Sequence, residues 1–229
     1  MKILVIDDTQ AHLDAAKQTL VGHDVTCCAT HEEAIKLLSE GNNRDTSRCC
    51  ALWKQYMVEG IHFGDALDKA EVETWLPYWD VVLTDLLMPA GPMKQAGSGC
   101  QYVGQEMAVG WALALTAART GVKYVAVVTD TNHHYHPASA MLDVFNRHFF
   151  TIDGARVHMT NHVSLVGIAG TEVPCSDCAA TGKKKIKESG NEYQCPTCNG
   201  SGQDFAKKGK DWGLILEQLL KGETGRDSA

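Results

Sequence analysis

The sequence lacks a hydrophobic run long enough to cross a membrane, an N-terminal export signal and an excess of positive charge. Its longest apolar stretch lies near VGWALALTAA, well short of the ~18 residues that a spanning helix needs. The N-terminus, MKILVIDD, reaches acidic residues too early for a secretory signal. A net charge of -7 argues against a general nucleic-acid binder. We therefore expect a cytoplasmic protein that does not bind membranes.

The composition that remains is typical of a folded protein. Of the 229 residues, 44% are hydrophobic and 21% are charged, which excludes a disordered chain. This length accommodates one elaborated domain, or one domain with a small module. Nine cysteines without an export signal favour metal binding over a disulfide framework.

Short apolar runs alternate with helical segments along most of the chain. Five runs are predicted to be strands: KILVI, DVTCCA, WDVVLTD, VKYVAVVTD and ARVHMTN. The longest helices are predicted over residues 103–120 and 137–149, and DWGLILEQLLKG predicts a last amphipathic helix. Repeated strand–helix units predict an α/β fold with a doubly wound, five-stranded parallel sheet.

Three segments interrupt this pattern and are predicted to be insertions into one domain that spans residues 1–229. Residues 42–78 are rich in tryptophan, which favours a folded excursion over a loop. Residues 90–103 are rich in glycine and predict a loop. Residues 171–208 carry paired cysteines and predict a separate small module.

Acidic residues follow several of the predicted strands. Asp7 and Asp8 end the first strand, and Asp85 ends the third. Thr129 and Asp130 end the fourth. In a parallel sheet these ends meet at one crevice, where ligands usually bind. Carboxylates so close together are unfavourable unless a cation joins them, and oxygen ligands suit Mg²⁺. The alternative is that these acids cap helices and face water.

These residues resemble the receiver domain of two-component response regulators. The resemblance rests on the acidic pair after the first strand, DLLMP after the third and the threonine after the fourth. It implies a flavodoxin-like, receiver-type fold in which Asp85 accepts a phosphoryl group. It further implies that Asp7, Asp8 and Asp85 hold Mg²⁺. Leu87 would add its backbone carbonyl to the metal, and Thr129 would bond the phosphoryl oxygen and act as a switch.

Two features depart from the receiver pattern. The family carries a lysine at the end of the fifth strand, but here that strand reads ARVHMTNHV, with Thr160 or Asn161 in its place. His158 or His162 could supply only a charge that depends on pH. The residue after the threonine is Asp130, where the family has a small residue. Both departures disfavour a dianionic phosphoryl group.

Two C-x-x-C pairs, Cys175 with Cys178 and Cys195 with Cys198, are separated by sixteen residues. Four thiolates at this spacing predict a closed tetrahedral site for structural Zn²⁺, which leaves no open position for catalysis. Glycines follow the second pair as C-x-x-C-x-G-x-G, so the segment resembles a zinc module of the DnaJ cysteine-rich region. A redox function for the pairs is the weaker alternative.

A basic run lies between the two cysteine pairs and comprises Lys183, Lys184, Lys185 and Lys187, with Tyr193 beyond it. This run could contact nucleic acid or an acidic protein. We favour a solvated hairpin tip, because the chain as a whole is acidic.

The leading hypothesis is an atypical stand-alone response regulator, and not an enzyme. A histidine kinase or phosphotransfer protein would donate the phosphoryl group, and an unknown output protein would dock on the zinc module. The alternative is a non-phosphorylated, receiver-like scaffold whose zinc module binds a protein or, less favoured, nucleic acid. A Mg²⁺-dependent phosphatase is a third hypothesis, but the sequence offers no convincing general acid.

Overall fold

Strands and helices alternate along the chain in the computed structural model, which describes residues 1–40, 43–92, 96–145, 148–186 and 191–221. The strands are β1 (Lys2–Ile6), β2 (Asp24–Cys28), β3 (Asn43–Arg44), β4 (Trp75–Leu76), β5 (Val81–Asp85), β6 (Met88–Pro89), β7 (Glu106–Met107), β8 (Tyr124–Val128), β9 (Phe149–Ile152), β10 (Ala155–Thr160), β11 (Leu165–Gly167), β12 (Glu172–Pro174), β13 (Lys183–Lys185), β14 (Glu192–Gln194), β15 (Gln203–Phe205) and β16 (Lys208–Lys210). The helices are α1 (Gln10–Thr19), α2 (His31–Glu40), α3 (Thr46–Val58), α4 (Phe63–Glu73), α5 (Val109–Arg119), α6 (Pro137–Met141) and α7 (Trp212–Lys221).

Six strands form the central sheet in the order β2-β1-β5-β8-β10-β9. The first five are parallel to one another, and β9 pairs antiparallel with β10 at the edge. The register pairs Thr84 of β5 with Ile6 of β1, and Asp85 with Val128 of β8. The C-terminal ends of these three strands therefore adjoin at one edge of the sheet.

Helices cover both faces of the sheet, because alternate residues of each strand point to opposite sides. On one face, Ile3 and Val81 pack with α1 and α7. On the other face, Leu4 and Val82 pack with α2 and α5. Every residue of β5 is buried as a result, including Asp85 at its end. The strand that reads as a continuous apolar run thus carries a carboxylate into a largely desolvated position.

The structure corrects the predicted five-stranded parallel sheet by adding β9. Residues 149–152 belong to this strand, although the sequence predicted that a helix begins at residue 137 and reaches residue 149. That helix is short: α6 is followed by a single 3₁₀ turn at Leu142–Val144. The turn between β9 and β10 has positive φ at Asp153 and Gly154, 46° and 82°. An Asp-Gly pair between apolar runs is a strong hairpin signal, and it explains the extra strand.

The helix predicted over residues 103–120 begins later, at Val109. The residues before it form β7, which pairs with β6 directly after β5. This small ladder closes the segment 90–103, where a 3₁₀ helix covers Gly97–Tyr102. Residues 93–95 of that segment lie outside the described residues.

The tryptophan-rich segment forms a helical hairpin with a core of its own. Helices α3 and α4 pack around Cys49, Tyr56, Ala66 and Ala70, and β3 pairs with β4 at their base. Trp53 contributes an edge-to-face ring contact with a phenylalanine of α4. In the part of the chain that the structure describes, no helix has the length and apolar character needed to span a membrane.

Candidate functional site

Three carboxylates meet at the C-terminal edge of the sheet. Asp7 and Asp8 follow β1, and Asp85 ends β5. One oxygen from each lies within 4.8 Å of the others. Asp7 is fully buried and Asp85 nearly so, whereas Asp8 is exposed. The fold therefore brings together the three acidic residues that the sequence predicted to be metal ligands, in a crevice that is open on the side of Asp8.

A lysine that the sequence analysis did not identify lies in this cluster. The Nζ atom of Lys210 is 2.7 Å from Oδ2 of Asp7 and 2.8 Å from Oδ1 of Asp85. The Lys210 side chain is completely buried. Lys210 is the last residue of β16, the strand that returns from the four-cysteine segment. The fifth predicted strand, where the receiver pattern has its lysine, provides none, and the positive charge comes from β16.

Two contacts with α1 fix β16 at this position. The backbone N–H of Lys210 donates to Nδ1 of His12, at 3.2 Å. Gly209 lies so close to α1 that a Cβ there would be 2.3 Å from the carbonyl oxygen of Ala11. Only glycine allows this approach. Because β16 lies directly against α1, the lysine of the next position can reach the buried end of β1.

Replacing Gly209 with alanine should lower the free energy of unfolding by about 1–3 kcal/mol, because the added methyl group overpacks the contact with α1. Gly64, at the start of α4, is a matched control. A Cβ there would meet only a histidine ring atom at 3.9 Å, so Gly64→Ala should leave stability unchanged or slightly higher. Urea denaturation measures both; equal stability of the two variants would contradict the close approach.

Burial and the charge of Asp7 raise the pKa of Asp85, to about 7, against the lowering influence of Lys210. Burial and Asp7 also raise the pKa of Asp8. For Lys210, burial alone would lower the pKa, but the carboxylates of Asp85 and Asp7 outweigh burial and raise it. The lysine therefore remains charged in the pocket, and further positive charge would favour ionised Asp85.

Asp130 faces the same cluster but is partly neutralised by its neighbours. One of its oxygens is 3.4 Å from Nε2 of His12, and the other is 3.8 Å from Nζ of Lys210. The hydrogen bond from His12, with the charge of Lys210, lowers the pKa of Asp130 to about 2 in spite of its partial burial. His12 thus bonds both the Lys210 backbone and the carboxylate of Asp130, the residue that was expected to disfavour a phosphoryl group.

Thr129 is buried beside the carboxylate cluster, one residue beyond the partner of Asp85 in β8. Its N–H donates to the carbonyl of Thr160, and its hydroxyl accepts from the N–H of Thr131 at 3.1 Å. Leu87 is buried two residues after Asp85. The sequence-predicted site residues of the pocket thus lie at one edge of the sheet.

The residues at the end of β10 do not substitute for a lysine. The side chain of Asn161 donates to the carbonyl of Ser139 and to Asp143, away from the carboxylate cluster. Burial lowers the pKa of His158, which keeps its imidazole neutral near pH 7. The positive charge of the pocket comes from Lys210 instead.

The order of the predicted strands indicated that a residue near Lys210 would reach the pocket, although no motif did. The four-cysteine segment follows the fifth predicted strand, so its return strand had to reach the same sheet edge as the acidic residues. Lys207, Lys208 and Lys210 all lie on that return path. Nothing in residue type separates them, and their different burial results from the packing of β16 on α1.

The four cysteines Cys175, Cys178, Cys195 and Cys198 form a second, separate cluster and are all buried. Their sulfur atoms lie within 4.8 Å of one another, with 4.0 Å between Cys175 and Cys195 and 3.7 Å between Cys178 and Cys198. Tetrahedral zinc thiolates have neighbouring sulfurs about 3.8 Å apart. The site is therefore compatible with structural zinc.

The two cysteine pairs have nearly the same backbone structure. In each, a hydroxyl three residues after the second cysteine donates to that cysteine's carbonyl: Thr181 to Cys178 at 2.6 Å and Ser201 to Cys198 at 2.8 Å. The first cysteine of each pair donates its N–H to the glycine carbonyl that follows the other pair, at 2.9 Å in both cases. This two-fold arrangement closes the cysteines around one centre.

Ladders extend from the cysteine cluster in two directions. Strands β12 and β15 lead towards the sheet, and β13 and β14 lead away from it. The described lysines of the basic run are paired within the module: Lys183 and Lys185 with Glu192, and Lys184 with Asp177. Lys187, the fourth predicted member, lies outside the described residues.

Comparison with known proteins gives no assignment, since no family model matches the chain and no curated protein or solved structure shows significant similarity to it. A functional conclusion therefore depends on the geometry of the carboxylate cluster and the four cysteines.

Proposed function

We propose that this chain is an atypical stand-alone response regulator with a flavodoxin-like, receiver-type domain that accepts a phosphoryl group on Asp85. The observation that carries the proposal is the ion pairing of Lys210 with Asp85 and Asp7. Receiver domains, which the sequence resembles, supply such a lysine from the last parallel strand of the sheet. In this protein the same charge comes from β16.

The side chains of the pocket suit phosphoryl transfer to a carboxylate. An oxygen of Asp85 attacks the phosphorus of the donor, the bond from phosphorus to the leaving atom breaks, and the leaving group keeps the electron pair. Lys210 offsets the negative charge that gathers around Asp85. The hydroxyl of Thr129 is the proposed donor to a phosphoryl oxygen.

The ligands that we propose for Mg²⁺ are Asp7, Asp8, Asp85 and the backbone carbonyl of Leu87. The carboxylates fit the ion by the chemistry of the donor set, since hard oxygen ligands are those that Mg²⁺ prefers. Lys210 supplies a single positive charge against several carboxylates, so the ionised pocket stays negative. When bound, Mg²⁺ supplies Lewis-acid stabilisation of the phosphoryl oxygens.

The proposed partners are a histidine kinase or phosphotransfer protein as donor, and an output protein that recognises the phosphorylated form. Nucleic acid is less favoured as a partner of the zinc module. Its lysines Lys183, Lys184 and Lys185 already face carboxylates of the module itself. A contact with phosphates would have to displace these pairs.

Transfer from a small acyl phosphate in the presence of Mg²⁺ tests the proposal. Protein-bound phosphate should appear in the wild type and be absent from Asp85→Asn, since the amide is a far weaker nucleophile than the carboxylate. Asp143→Asn is the matched control, because Asp143 lies in the 3₁₀ turn after α6 and pairs with His133; this variant should be labelled like the wild type. Absence of labelling in all three proteins, with Mg²⁺ bound, would favour the non-phosphorylated scaffold.

A further inference from the structure

The pocket lysine and the four cysteines are joined by two short ladders, β11–β16 and β12–β15, which together we call the ribbon; a turn at residues 168–171 lies between β11 and β12. Starting from the pocket, Lys210 is paired with Leu165 in the β11–β16 ladder. The N–H of Ile168 donates to the carbonyl of Lys207 at 3.0 Å, and the N–H of Ala206 donates to the carbonyl of Thr171 at 2.7 Å. The β12–β15 ladder follows directly and ends next to Cys175. These hydrogen bonds link the two ladders across the turn, so the ribbon runs from the pocket to the cysteines.

The outer part of this ribbon, near the cysteines, is stabilised mainly by the four cysteines. Among the described residues of the module, the buried cluster consists of the four cysteines alone. The flanking strands β12, β13 and β14 are mostly exposed. A short two-stranded ribbon without an apolar core is marginal in water. Its order therefore depends on a metal at the four sulfurs.

The register of the ribbon determines whether Lys210 faces the pocket. Successive side chains of a strand point to opposite sides, so a slip of one residue would turn Lys210 away from Asp7 and Asp85. The base of the ribbon also has its own attachments to α1. Gln18 bonds to the carbonyl of Gly167 and the N–H of Ala169. These contacts hold β11, whereas β16 is held by its pairing with β11, by the contacts of Gly209 and Lys210 with α1, and by the ribbon beyond.

We propose that the four-cysteine module positions Lys210, so that metal occupancy of the cysteines is coupled to the presence of the lysine in the carboxylate pocket. Cys175, Cys178, Cys195 and Cys198 are then positioning residues for a site on another part of the fold. The metal that we propose to bind the four cysteines, and so to hold Lys210 in the pocket, is Zn²⁺. The coupling is independent of phosphorylation, because the ribbon joins the two sites whether or not Asp85 accepts a phosphoryl group.

Amine labelling of the full chain, read by peptide mass spectrometry, tests this coupling. In the zinc-loaded protein Lys210 should resist labelling, while exposed Lys17 of α1 reacts freely. Removing zinc with a chelator should raise the labelling rate of Lys210 at least about tenfold, because the ribbon then opens locally. Lys17 should be unaffected, and hydrogen exchange in β1 and β5 should stay slow.

Two variants distinguish the effect of breaking the ribbon from the effect of losing the metal. Ala206→Pro removes the N–H that bonds to Thr171; this variant should keep its zinc and still expose Lys210. Ile186→Pro is the matched control: it removes a similar bond, to Asn191, on the far side of the cysteines. It should keep Lys210 protected.

A zinc-free protein in which Lys210 stays protected would overturn the proposal. Exchange throughout β1 and β5 on zinc removal would also overturn it, because the metal would then support the whole fold and not this lysine in particular. Both readouts are independent of phosphoryl transfer, so they distinguish a failure of this coupling from a failure of the proposed function.

Discussion

Lys210→Met should lower the free energy of unfolding by about 3 kcal/mol in magnesium-free buffer, because it leaves two buried carboxylates without their cation. Methionine keeps much of the side-chain volume, so the loss reports charge and not a cavity. The lysine bonds to both Asp7 and Asp85, and it is completely buried. Denaturant titration of the variant and the wild type measures the difference.

The control for this variant lies on the same strand. Lys208 is two residues away, is exposed and pairs with Asp204 at 2.8 Å. Because exposed ion pairs contribute about 0–1 kcal/mol, Lys208→Met should change stability little. If both variants lost the same amount, the burial of Lys210 and its pairing with the carboxylates would be contradicted.

The loss in Lys210→Met should also depend on pH. Burial raises the pKa of Asp85 to about 7 with the lysine present, and removing the lysine raises it further. At low pH, Asp85 of the variant is protonated and needs no cation, so the loss is small. As the pH rises through and beyond 7, an unpaired carboxylate must ionise in the fold, and the loss grows. Mg²⁺ should restore part of the lost stability.

Cys195→Ser should reduce bound zinc from about one equivalent to less than about a tenth, because a hydroxyl cannot replace the fourth thiolate of a closed site. Cys50→Ser is the matched control. Cys50 is an exposed cysteine on α3 that does not belong to the four-cysteine cluster, and its variant should keep the zinc of the wild type. Metal analysis after gel filtration measures both.

Two results would contradict this account of the cysteines. Full zinc content in Cys195→Ser would show that the metal is bound elsewhere. A wild-type protein that is free of zinc, and whose cysteine segment is nonetheless protected from hydrogen exchange, would show that the segment folds without metal. The central sheet of Cys195→Ser should remain folded, because its core shares no buried residue with the cysteine cluster.

The parallel strands could be predicted from sequence because each is a short apolar run buried on both faces. β1 and β5 coincide with KILVI and with the end of WDVVLTD. The cysteine cluster could be predicted for a different reason, since ligand spacing alone restricts the geometry. By contrast, β9 is hard to predict from sequence, because the helical pattern that begins at Pro137 runs into its first residue, although the Asp153–Gly154 pair marks the hairpin turn.

The composition of the pocket was only partly predictable. The carboxylates follow strands whose order could be inferred, so their convergence on one edge was expected. Lys210 is far from them in sequence, and its residue type is that of its exposed neighbour Lys208. Both lysines lie on β16 and pair with β11, but Lys210 lies next to His12 of α1 and at the ends of β1 and β5. Such tertiary contacts leave no periodic pattern in the sequence.

The central claim is that Asp85 accepts a phosphoryl group in a pocket completed by Lys210. The most direct measurement is to expose the protein to a small acyl phosphate with Mg²⁺, reduce the acyl phosphate with borohydride and locate the modified residue by peptide mass spectrometry. The account predicts that Asp85 is recovered as homoserine, and only when Mg²⁺ was present. Modification of Asp7, Asp8 or Asp130 instead, or of no residue although Mg²⁺ is bound, would contradict it.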